Sequence, residues 1–187
     1  MNIYSITNFN IDNSDKYAST KRGIDMTNGN FMTATTRDKI LAKIQELESK
    51  KPEISQQIGN ARLQGGLEEN EELLMALEDM QRIDMEIGRH QEKLVDVIII
   101  PPHRVFGKKS TVTVGTTVTI VNINTDEEIT YTILGEHDSD PANGVISFKS
   151  PMGAELLNRS VGDEVEIRAG NNSTDYEIIK IVAKKQQ

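Results

Sequence analysis

Residues 61–80 read ARLQGGLEENEELLMALEDM, and the paired glycines Gly65 and Gly66 within this stretch decide how the chain folds. Glycine permits a chain reversal at little steric cost. Upstream, Ile40, Ile44, Leu47, Ile54 and Ile58 recur at steps of four, three, seven and four, the a and d positions of a heptad, with Lys51 in the seam at the one gap. Thr35 or Thr36 is placed to cap this helix, and Pro52 removes a backbone bond inside it and predicts a kink. Downstream, Leu73, Leu77, Met80, Ile87, Leu94 and Ile98 form a second stripe, on a helix predicted from about Glu68 to Val97. Two stripes joined by so short a turn must pair antiparallel. Helices of about 28 residues would be roughly 40 Å long and the pair about 20 Å across, a finger rather than a globule. An ordinary bundle would need a third helical pattern, and the sequence offers none.

Outside the hairpin the pattern changes. Ile98-Ile99-Ile100-Pro101-Pro102 ends the second helix and marks a boundary. Beyond it, TVTVGTTVTIVNI, EITYTILG, GVISF, EVEIRA and DYEIIKIVA read as strands separated by turn-rich pieces. One short helix interrupts them, with Ser150 as cap, Pro151 in the first helical position and MGAELLNR following. Residues 1–33 are rich in Asn, Ser, Thr and Asp without a sustained period, and read as a flexible polar extension; Ile3, Tyr4, Ile6 and Phe9 would serve a docking arm there. The expected architecture is therefore α+β. It comprises an extension (1–33), an N-terminal antiparallel α-helical coiled-coil hairpin (34–100), and a C-terminal antiparallel β-sheet domain with one short helix (101–187).

Composition narrows the chemistry. The 187 residues carry 29 acidic and 21 basic side chains, a formal charge of -8, which argues against a free-standing nucleic-acid binder. With no cysteine, disulfides, thiolate metal sites and a cysteine nucleophile are excluded, and three scattered histidines leave little for zinc. No apolar run approaches the roughly 20 residues of a membrane span, and MNIYSITNFN lacks the pattern of a secretory leader. A soluble cytoplasmic protein without membrane contact is expected. A monomer is expected too, because the hairpin buries its own stripe.

The acid is concentrated. Between Arg62 and Arg82 stand Glu68, Glu69, Glu71, Glu72, Glu78 and Asp79 with no base among them. Acids in a first helical turn complement the helix dipole. Four in five residues repel one another, however, and the dipole offsets that only in part. Carboxylates at the end of a narrow projection suit delivery of a ligand to a hard cation such as Mg²⁺ in a partner's deep site.

These segments resemble the Gre-type bacterial transcript-cleavage factors over about Thr33 to Ile181. KKPEISQQIGNARLQGGLEENEE is similar to that family's helix–tip–helix, including the proline and the run Leu67, Glu69, Asn70 and Glu72. GTTVTIVNINTDEEITYTILG and GVISFKSPMGAELLNRSVGDEVEI resemble its FKBP-like globular domain. The resemblance implies a bacterial-type multisubunit RNA polymerase as partner, with RNA and DNA met only through the elongation complex. The coiled coil would enter the secondary channel, and tip carboxylates would act at the catalytic Mg²⁺ while the polymerase cuts backtracked RNA. The protein itself would be an auxiliary factor, not an enzyme, with no cofactor of its own. Glu69, and Glu68 beside it, are the implied catalytic and metal-binding residues. Gly65, Gly66, Leu67, Asn70 and Glu72 complete the tip, and Ser150, Pro151 and Met152 match the family's polymerase-contact segment.

One departure bears on activity. The family tip reads Gly-Asp-Leu-x-Glu, and here Gly66 stands where the aspartate belongs. Losing a carboxylate removes a ligand and a charge, and Glu68 leaves a helix about 100° away from Glu69. Leu73 also replaces a usual tyrosine. Three functions follow: a cleavage factor; a non-cleaving channel binder that inhibits or modulates the polymerase; and a coiled-coil adaptor unrelated to polymerase. The polymerase could be the host's own or one met by a phage or mobile element. Other candidates are weaker. His103, Arg104, Lys108 and Lys109 read as a solvated linker, the aromatics Phe106, Tyr131, Phe148 and Tyr176 are not grouped as a prolyl-isomerase pocket needs, and Asp138 and Asp140 lack the spacing of a calcium loop.

Overall fold

The computed structural model describes residues 29–64, 70–100, 111–169 and 172–183. The chain forms two compact units, Thr35–Val95 and the sequence on either side of it.

The first unit is the helical hairpin. Helix α1 runs Ala34–Gln64 and α2 runs Glu71–Lys93. Helix α1 continues through Pro52, whose missing N–H removes a donor to the carbonyl of Glu48. Ile40, Ile44, Leu47 and Ala61 are buried on α1, and Leu73, Ala76, Ile83 and Ile87 on α2. Lys51 Nζ meets Asp84 Oδ1 at 2.7 Å, and Asn70 Nδ2 meets the Ala61 carbonyl at 2.7 Å. Position numbers thus rise on one helix as they fall on the other, the signature of antiparallel pairing. On α2 the seam runs through Leu73, Ala76, Met80, Ile83 and Ile87, so Ala76 rather than Leu77 is the buried residue and Ile83 joins the expected stripe.

The second unit is a sheet with small additions. Strands β3 (Thr116–Asn122), β4 (Glu128–Leu134), β5 (Val145–Ser147), β6 (Glu164–Ala169) and β7 (Asn172–Ala183) form one sheet in the order β5-β4-β3-β7-β6. Its pairs are antiparallel except β4–β5, which is parallel. Helix α3 (Pro151–Leu156) packs against it through Leu156. The expected strand over 111–123 begins only at Thr116, because Gly115, at φ 95°, turns the chain.

Two expected boundaries change. Asn30–Thr33, assigned to the flexible extension, is strand β1, and it pairs in parallel with β2 (Val97–Ile100), assigned to the end of the hairpin. Helix α2 stops at Lys93, and Asp96, at φ 51°, lies outside helical space. The β-branched run that follows suits a strand, although its Leu94–Ile98 spacing imitates a helical stripe. Phe31 and Ile100 belong to the same core as Val118, Ile120, Ile133 and Ile178, and Phe31 meets Phe148 edge-on with centroids 5.4 Å apart. Gly135 explains the close seating of β1: a Cβ there would fall 1.7 Å from the Phe31 carbonyl oxygen. Among the described residues no helix is long and apolar enough to cross a membrane.

Candidate functional site

The turn end of the hairpin is built from a cap. Asn70 Oδ1 accepts from the Leu73 N–H at 3.0 Å, which starts α2, and Glu71 and Glu72 occupy the exposed first turn, where carboxylates complement the helix dipole. Glu78 is exposed about two turns further on, and Asp79 is engaged by Arg82. Part of the acid read as unrelieved is therefore paired within the helix. Elsewhere in the hairpin, ion pairs engage Asp38, Glu46 and Asp84. Gly65, Gly66, Leu67, Glu68 and Glu69 lie outside the described residues, as does the basic cluster at His103, Arg104, Lys108 and Lys109.

The second expected site lies at α3. Ser150 Oγ accepts from Gly153 N–H at 3.0 Å and donates to the Ser147 carbonyl at 2.7 Å, so its hydroxyl is used internally as a cap. Gly153 is required there, since a Cβ would lie 2.1 Å from that same carbonyl oxygen. What this corner offers a partner is exposed Pro151, half-buried Met152 and Lys149, whose Nζ lies 3.3 Å from Glu136 and 5.7 Å from the Phe148 ring centroid.

The weaker candidates resolve into structural roles. Asp138 accepts from Thr33 N–H at 3.0 Å and from the Thr33 hydroxyl, fastening the end of β1. Asp140 accepts from Asn143 Nδ2 at 2.7 Å. Among the described residues no group of three or more His, Asp or Glu side chains is arranged to hold a metal ion. Phe148 is filled in by Phe31, and Tyr131 and Tyr176 pack against the core. Burial, and then the neighbouring Tyr176, push the Tyr131 hydroxyl above its ordinary pKa. Two roles escaped the sequence reading. Asn70, expected only as a tip residue, bonds both helices; an Asn just before an acidic first turn is a readable cap signal, whereas its bond to Ala61 has no local signature.

Residues 30–99 match the family model described as "Transcription elongation factor, N-terminal", and residues 107–183 match "Transcription elongation factor, GreA/GreB, C-term". The chain is also 38% identical over 149 residues to the transcription elongation factor GreA of Helicobacter pylori, covering 79% of this chain and 90% of that one. It belongs to the GreA/GreB family of transcription elongation factors. GreA of Treponema pallidum is 36% identical over 137 residues, covering 73% of this chain and 83% of the relative. Among solved structures, Gfh1 of Thermus thermophilus aligns at a TM-score of 0.37 and 16% identity, over 83% of this chain and 99% of that one.

Proposed function

We propose that this elongation factor binds a multisubunit RNA polymerase, inserts its hairpin into the secondary channel, and acts with its tip carboxylates at the catalytic Mg²⁺ to promote cleavage of backtracked RNA. The observation that carries this reading is the turn end of the hairpin: two helices tied together at Ala61 and Asn70, with exposed Glu71 and Glu72 directly following Asn70. Carboxylate oxygens are the ligands a hard divalent ion takes. Glu69 matches the second acid of the family tip and would supply the ligand, with Glu68 beside it. A divalent ion bound in the polymerase would supply Lewis-acid activation of the attacking water; Glu69 would contribute an oxygen ligand and negative charge. Ser150, Pro151 and Met152 would contact the polymerase, with Ser150 shaping the corner and Pro151 and Met152 meeting the partner. In this reading the factor is auxiliary and the nucleolytic centre belongs to the polymerase.

Gly66 favours a second reading, in which the same insertion occupies the channel and slows synthesis without cleavage, because one family ligand is missing. No observation favours an adaptor unrelated to polymerase. The test is a stalled, backtracked elongation complex with Mg²⁺ and purified factor. Release of short 3′ RNA fragments that Glu69→Ala abolishes supports cleavage. Slowed extension without fragments supports the second reading, and a large gain of cleavage in Gly66→Asp then identifies the missing ligand. No binding to polymerase at micromolar concentration overturns both.

A further inference from the structure

Among the described residues at the turn end of the hairpin, Asn70 is the one whose side chain bonds both helices. Its Oδ1 accepts from Leu73 N–H at 3.0 Å, and its Nδ2 donates to the Ala61 carbonyl at 2.7 Å. The Leu73 amide, in the first turn of α2, is a group that a helix start leaves without an intrahelical bond, and the Ala61 carbonyl, in the last turn of α1, has two lone pairs and so can accept a bond from outside its own helix. Ala61 is fully buried and presents only a methyl group, which lets the start of α2 approach its carbonyl. Capping alone would be served as well by Asp or Ser. Only a carboxamide carries a separate acceptor and donor far enough apart to cap one helix while holding the other.

We propose that Asn70 is a positioning residue for the tip. Its carboxamide locks the last turn of α1 to the first turn of α2 and thereby fixes the two points between which the tip residues are strung. The consequence at the polymerase rests on the function proposed above; the locking itself does not. A metal-directed carboxylate must be held to within about 0.5 Å, and a misplacement of about 1 Å costs on the order of a hundredfold in rate.

The chain has no cysteine, so Arg62→Cys and Glu72→Cys, both at exposed positions, can carry nitroxide labels in the full-length protein. Asn70→Asp keeps the acceptor for Leu73 and loses the donor to Ala61; Asn70→Ala loses both. The expected result is a narrow interspin distance distribution in the parent that broadens in both variants, with helicity preserved in Asn70→Asp. A distribution in Asn70→Asp as narrow as the parent's overturns the proposal, because the cap alone would then set the geometry. In the backtracked-complex assay, run in the Gly66→Asp background, Asn70→Asp lowers the maximal cleavage rate at least about tenfold while the half-maximal concentration stays near the parent's. An unchanged rate despite a broadened distribution overturns the positioning role. A parent that binds polymerase but never cleaves overturns the proposed function instead, and the distance measurement still reads the lock.

Discussion

Phe31→Ala tests the assignment on which the β unit depends, that residues 30–33 are part of its core. Phe31 is 1% exposed and sits edge-on to Phe148 at an interplanar angle of 85°. Truncating a buried phenylalanine costs about 3–5 kcal/mol, of which an aromatic pair accounts for about 0.5–1.5 kcal/mol. An unattached extension would lose less than about 0.5 kcal/mol. For a unit of this size each kcal/mol moves the midpoint by about 4–8 °C, so a drop of about 12 °C or more is expected. The assay separates the two units by chromophore. The hairpin contains no tyrosine, whereas Tyr131 and Tyr176 pack against the β core. Near-ultraviolet circular dichroism in the tyrosine band therefore follows the β unit, and the 222 nm signal is dominated by the helices. A tyrosine-band midpoint lowered by only a few degrees would refute the reasoning. Gly135→Ala provides an independent check, since its methyl would fall 1.7 Å from the Phe31 carbonyl oxygen and must displace β1 or the turn after β4. Because both changes act on the seating of β1, their combined loss should be smaller than the sum.

Asp138→Ala removes both Thr33 acceptors, each a carboxylate oxygen, and a hydrogen bond to a charged group is worth about 1.5–3 kcal/mol. It should lower the same tyrosine-band midpoint more than Asp138→Asn, which retains one acceptor; equal losses would count against the two-bond account. In the hairpin, hydrogen bonds from Lys43 and then Lys50 hold Glu46 down to about 2 from an ordinary 4.5. A carboxylate with a lower pKa in the folded chain adds stability that is fully present above the unfolded value and disappears as pH falls from about 4.5 toward 2. The three side chains are half-exposed, so the effect is small and screened by salt. Glu46→Gln should reduce the thermal stability of the 222 nm signal slightly at pH 7 and leave it unchanged at pH 2. A difference that grows on acidification would refute the linkage.

The parts of this fold legible in the sequence are those whose partners lie close in the chain or repeat with a period. The heptad from Ile40 to Ile58 and the Gly65-Gly66 break need only local information, because a hairpin pairs each residue with one that its own turn brings back. The same holds for β3, β4 and the Ser150-Pro151 start of α3. Strand β1 offers no such signal: NFMT is too short to show alternation, and its partners are Val97–Ile100, beyond the whole hairpin, and Asp138, 105 positions away. Strand β2 is ambiguous for the converse reason, since four apolar residues in a row fit the tail of a helical stripe as well as a buried strand. The functional site divides along the same line. Its acids stand out by composition alone, because charge needs no partner to be seen. The proposed lock is Asn70 reaching nine positions back to a carbonyl oxygen, and a backbone acceptor leaves no mark on the sequence. A sequence search for tip acids therefore finds the proposed ligand and misses the lock. For that reason Gly66, where the proposed function lacks a carboxylate, and Asn70, which bonds both helices, must be varied separately before a weak activity is blamed on either.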